Sequence, residues 1–120
     1  MTTDDDKKFL MSFLRTVKVI SDKKYQGRIW IRGEGPEVDD FDETVCFFFD
    51  DVEEIIEKFR QYGLTKSQYQ MLRKFRDKFE DFVDNREHYL PEDFIDTLWW
   101  QEIIDLAKNL LKAFSYQEAL

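Results

Sequence analysis

Apolar residues recur at helical spacing along most of this chain, and that periodicity predicts four helices. The first spans 5–20, with Phe9, Leu10, Phe13, Leu14 and Val17 on one stripe and Lys7, Lys8, Arg15 and Lys18 off it. The β-branched residues Val17, Val19 and Ile20 leave open an earlier end. The second starts at Asp40, an N-cap with Glu43 three positions on in a capping-box pattern. It runs to Tyr62 with Val45, Phe48, Phe49, Val52, Ile56 and Phe59 inward, Ile55 at the margin and Gly63 just past its end. Acids crowd its first turns and Lys58 and Arg60 lie near its close, which suits the helix dipole.

A second capping box, Thr65 with Gln68, opens a helix over 66–85 with Tyr69, Leu72, Phe75, Phe79, Phe82 and Val83 inward. The short connection makes helices two and three an expected antiparallel hairpin. Residues 85–89 read as a connector, and Pro91 opens a brief turn through Phe94 and Ile95. Asp96 or Thr97 caps a last helix over 98–114, whose stripe is Trp100, Ile103, Ile104, Ala107, Leu110, Leu111 and Phe114. Only Arg28-Ile-Trp-Ile-Arg32, bounded by Gly27 and Gly33, has the character of a strand. It reads as an extended connector, half of a small hairpin, or an edge open to a partner. The expectation is an all-α fold: one domain over 1–120, a bundle of about four helices with one short extended segment at 28–32.

Composition narrows the class. A chain of 120 residues with twelve Phe, three Trp and five Tyr can bury one substantial core, which excludes a disordered acidic tail. The single cysteine, Cys46, excludes an internal disulfide and points to a reducing compartment. The opening Met1-Thr-Thr-Asp-Asp-Asp is acidic where a secretory signal is basic, and no apolar run approaches a membrane span. A cytoplasmic protein with no membrane partner is expected.

Charge changes the picture most. From Gly33 to Glu57 there are eleven acids and no base, within a chain whose net charge is −8. The acids are Glu34, Glu37, Asp39, Asp40, Asp42, Glu43, Asp50, Asp51, Glu53, Glu54 and Glu57. A negative field so gathered steers cationic partners and repels phosphates, so no direct nucleic-acid contact is expected. On a helical wheel Phe47 falls opposite the core stripe, among Glu43, Asp50, Asp51 and Glu54. Either another segment covers that ring or it is an aromatic anchor at an interface. Trp30 and Trp99 pose the same question. Trp99 and Trp100 are adjacent, so one helix cannot turn both toward one core. Trp99 is either packed beneath the Pro91–Ile95 turn or exposed.

Catalytic chemistry finds little support. Asp40, Asp42 and Thr44 imitate alternating calcium ligands, but Val45 stands where such a loop needs glycine. His88 is the sole histidine, which leaves a zinc site or a Ser-His-Asp triad without its parts. In a Cys46–His88 dyad the surrounding acids would raise the thiol pKa and blunt the nucleophile. The Gly33-Glu-Gly-Pro loop is acidic and would repel phosphate. No enzyme activity, cofactor or metal is expected.

The stretch Arg28-Ile-Trp-Ile-Arg-Gly-Glu-Gly-Pro-Glu-Val-Asp-Asp-Phe-Asp-Glu-Thr-Val-Cys-Phe-Phe-Phe-Asp-Asp, with Pro91-Glu-Asp-Phe-Ile-Asp-Thr, resembles small bacterial immunity proteins. These accompany toxins of contact-dependent growth inhibition and related polymorphic toxin systems. The resemblance spans about Tyr25 to Tyr116 and carries no motif that assigns a residue. It implies a cytoplasmic antitoxin that binds one cognate toxin domain, commonly a cationic nuclease, and covers its active site. On charge and wheel position the expected contact residues are Glu34, Glu37, Asp39, Asp40, Asp42, Glu43, Phe47, Asp50, Asp51, Glu54 and Glu57. Asp50, Glu54 and Glu57 would pair with partner Lys or Arg. The alternative is a helical adaptor that binds a partner helix in an apolar groove, which exposure of Trp30 and Trp99 would favour.

Overall fold

The computed structural model describes residues 2–85 and 90–116. Its elements are α1 (Asp4–Ser21), α2 (Lys23–Tyr25), a π-helical segment (Gln26–Ile31), α3 (Phe41–Glu57), α4 (Lys66–Asn85), α5 (Pro91–Phe94) and α6 (Leu98–Ala113). The fold is therefore all-α. Against the expected four, six α-helices occur among the described residues, four long ones and the short α2 and α5, together with the π segment and no strand.

Caps fix the helix starts. Thr3 and Asp6 form a reciprocal capping box at α1, Asp40 Oδ1 accepts from the Glu43 amide at 2.8 Å, and Thr97 caps α6. Thr65 and Gln68 exchange hydrogen bonds at α4. Gln68 Nε2 also donates to the Ala113 carbonyl at 3.0 Å, tying the start of α4 to the end of α6. Each such cap contributes about 1 kcal/mol.

Helix α1 lies against both α3 and α6, and α4 packs on α6 and α3. The core is unusually aromatic. Phe48 meets Phe79 edge-on at 5.1 Å between ring centroids, and Trp100 sits among Phe41, Phe79, Phe82 and Phe94. Offset and edge-to-face pairs of this kind add to the burial of the rings themselves.

Two expectations are corrected here. The Arg28–Arg32 segment is not extended: the Arg32 amide donates to the Gly27 carbonyl at 3.1 Å, the five-residue spacing of a π turn. A strand would send Ile29 and Ile31 to one face and Trp30 to the other. Instead the adjacent Ile29 and Trp30 are both buried, together with Gln26, while Ile31 is exposed. The wider turn is anchored by Gln26. Its Nε2 donates to the Val19 and Ile20 carbonyls at 2.9 and 2.8 Å, and its Oε1 accepts from Trp100 Nε1 at 2.8 Å. One buried amide thereby joins the end of α1, the π segment and α6.

The second correction concerns α3, which ends at Glu57 rather than Tyr62. Lys58 leaves helical geometry, a separate turn follows, and Gly63 takes φ 75° to close it. Its core stripe centres on Phe48, Val52 and Ile55, all wholly buried. Val45 and Phe49 lie at the flanks, and Ile55, expected at the margin, is central. Because the helix stops early, its last turn holds Glu54 and Glu57 and no base, against the favourable sense of the helix dipole.

Candidate protein-binding surface

The acidic window divides into a strap over 33–40 and the helix α3. The strap's acids serve the fold. Arg28 grips Glu37 through two hydrogen bonds of 2.9 and 3.1 Å and donates to the Glu34 carbonyl at 3.1 Å. This planar fork is the geometry in which an arginine–carboxylate pair is strongest, and it holds the Glu37 carboxyl below its ordinary pKa. Gly35, at φ 129°, passes so close that a Cβ there would collide with the Arg28 guanidinium and the Glu37 carboxylate. Glu34 also lies 3.5 Å from Arg32.

Asp39 is a hub. Its Oδ2 accepts from Tyr25 Oη at 3.1 Å and from Trp30 Nε1 at 3.2 Å, and its Oδ1 accepts from Thr44 Oγ1 at 3.2 Å. Burial, then the Asp39 charge, push the Tyr25 hydroxyl up to about 12. Asp40 caps α3, and Asp42 is also engaged within the molecule.

On α3 the situation is mixed. Glu53 pairs with Arg76 at 3.0 Å and Glu54 with Lys58 at 2.8 Å. Glu43, Asp50, Asp51 and Glu57 form no ion pair with any described residue. Partial burial, then the neighbouring Asp50, raise the Asp51 carboxyl above its ordinary pKa. So of the eleven expected contact residues, Glu34, Glu37, Asp39, Asp40, Asp42 and Glu54 are occupied within the molecule.

Phe47 is not covered. It is 58% exposed, whereas its neighbour Phe48 is 0% exposed. Glu43 lies one turn before it, and Asp50 and Asp51 one turn after, on the same flank of α3. Glu57 lies ten residues further on, some 15 Å along the axis, and does not share this patch. Beside Phe47 a groove of about 310 Å³ runs between α1 and α3, lined by Ser12, Arg15, Thr16, Val19, Val38, Asp39, Glu43, Thr44 and Phe47. Val38 was not singled out in the sequence. It stands on the strap at 94% exposure, and a lone valine in a Gly-Pro-acidic loop gives no periodicity by which to notice it.

The tryptophans divide. Trp30 is buried against Phe41 at 5.3 Å. Trp99 is 39% exposed and makes a T-shaped contact with Phe82 at 5.0 Å between ring centroids. Cys46 is exposed, and His88 lies outside the described residues, so the dyad has no described geometry. Among the described residues no group of three or more His, Cys, Asp or Glu side chains is arranged to hold a metal ion. No helix among them is long and apolar enough to cross a membrane.

Comparison with protein-family models, curated proteins and solved structures finds no match, so the surface is read from its geometry and charge alone.

Proposed function

We propose that this chain is a cytoplasmic antitoxin of the immunity-protein type, which neutralises a cognate cationic toxin domain, a nuclease in the simplest case, by binding it. The observation that carries the reading is Phe47: a large apolar ring held in solvent, on a helix flank whose carboxylates at Glu43, Asp50 and Asp51 have no internal counterions. Exposing such a ring contributes nothing to folding, and the unneutralised Asp50 beside a partly buried Asp51 costs stability. At an interface the same arrangement is favourable. The ring supplies a desolvated anchor while the acids steer and orient a basic surface.

The contact set is smaller than the whole acidic window. Phe47, Glu43, Asp50 and Asp51 form its centre, with Glu57 a peripheral charge. The strap acids and Glu54 act by shaping the surface rather than by meeting the partner. Inhibition then follows from occupying a basic cleft built for a polyanion.

The adaptor alternative called for Trp30 and Trp99 beside a groove, and Trp30 is buried. The decisive experiment co-expresses this chain with candidate toxin domains, first among them any basic C-terminal domain that an adjacent reading frame encodes. Growth rescue by the wild-type chain is expected, with rescue lost in the combined Phe47→Ala, Asp50→Lys, Asp51→Lys variant. Equal rescue by that variant, or none by the wild type, would remove the proposal.

A further inference from the structure

We infer that the α1–α3 groove takes a cationic amphipathic segment of the partner, gripped between Val38 on the strap and Phe47 on α3. This inference rests on the binding reading above and adds a second anchor and the residues that position it.

The strap holds Val38 by means unusual for a surface loop. On one side of it Glu37 is clasped by the two-pronged Arg28 contact, and on the other Asp39 receives three side-chain donors. The loop is thus pinned at both neighbours of a valine that is itself 94% exposed. Fixing an apolar side chain in water brings the free protein nothing, but it removes the ordering cost from a later association. Val38 and Phe47 both line the groove, with Val19 and Thr44 between the helices and the small side chains Ser12 and Thr16 along α1. A partner's aliphatic side chain, or the stem of a lysine or arginine, fits such a channel with its charged head at the rim.

Charge selects the occupant. Glu43 in the groove and Asp50 and Asp51 beside it are unpaired acids, whereas Arg15 is the single base lining the groove, with Lys7 and Lys8 unpaired further along α1. A segment with basic residues toward α3 and apolar residues toward the valines matches this arrangement. Arg28 is a positioning residue: it grips the strap and does not line the groove, whereas Asp39 both pins the strap and lines the groove.

The test uses a synthetic amphipathic Leu/Lys helix as probe, a Leu/Glu helix of the same pattern as control, and the whole chain as receptor. The expected result is saturable binding of the Leu/Lys helix only. Val38→Ser and Phe47→Ala should each weaken it about tenfold, and Arg15→Glu should strengthen it several-fold. Arg28→Met should weaken it in the wild-type background and do nothing further beside Val38→Ser, a coupling that a merely structural role would not produce. Binding of both helices alike, or of neither, overturns the inference. So does a Val38→Ser variant that binds within twofold of wild type. If that variant is silent while Phe47→Ala still weakens binding, the Val38 grip fails and the proposed function stands.

Discussion

The strap and the outer flank of α3 carry the same kind of side chain and put it to opposite uses. In the strap, Glu37 meets Arg28 and Asp39 meets Tyr25, Trp30 and Thr44. On α3, Glu43, Asp50, Asp51 and Glu57 meet no counterion among the described residues. A run of acids in a sequence is therefore not one feature. Part of it is structural glue, and the remainder is charge that the fold leaves unused. Only the second kind is free to meet a partner.

The sharpest way to break this contrast lies in two adjacent phenylalanines. Phe48→Ala empties a site at the centre of the core and should destabilise the protein by about 4 kcal/mol in urea denaturation. Phe47→Ala should change stability by less than about 0.5 kcal/mol. Comparable losses at both positions would mean that Phe47 is covered after all.

Next in size is the hub. Asp39→Ala strands the Trp30 and Tyr25 donors and should cost about 3 kcal/mol, while Asp50→Ala should be close to neutral. An Asp39→Ala variant as stable as wild type would remove the strap's structural role.

Smaller still is the end of α3. Glu57 sits in the last helical turn, where the dipole disfavours an anion. Glu57→Lys should raise stability by about 0.5 kcal/mol, read as a higher urea midpoint. A lower midpoint would show that Glu57 has a use within the fold.

The smallest effect is in pH dependence, where the two regions should differ in sign. Glu37 is held below its ordinary pKa of 4.5, mainly by the Arg28 hydrogen bonds. Its contribution is present above that pH and is lost as pH falls through the folded value. Asp51 is raised above its ordinary 3.8, mainly by burial. Its folded form holds the proton more tightly, so it loses stability as pH rises from 3.8 through the folded value. Glu37→Gln should be less stable than wild type at neutral pH, Asp51→Asn more stable, and both differences should fade on acidification. Differences of the same sign would erase the distinction.

Much of the fold was legible because helical periodicity and caps are local signals. The α4 bounds, the Asp40 and Thr65 caps, Pro91 and the inward Trp100 all follow from residues a few positions apart. The π segment was not legible. Arg-Ile-Trp-Ile-Arg carries strand-forming side chains, and what overrides them is Gln26 bonding to α1 and to Trp100, seventy-four positions away. The division of the acids was hidden for a similar reason. Nothing local to Glu37 or Asp39 reveals that Arg28, Tyr25 and Trp30 will come to meet them. The exposure of Phe47, by contrast, follows from its wheel position opposite the core stripe, once no segment is found to cover it.

The most direct measurement is the urea midpoint of the triple variant Asp50→Asn, Asp51→Asn, Glu57→Gln beside that of wild type. If these carboxylates are charge the fold does not use, the midpoint should stay or rise as self-repulsion is relieved. A fall approaching that of Asp39→Ala would contradict the division between a strap that builds the surface and a helix flank left free to bind.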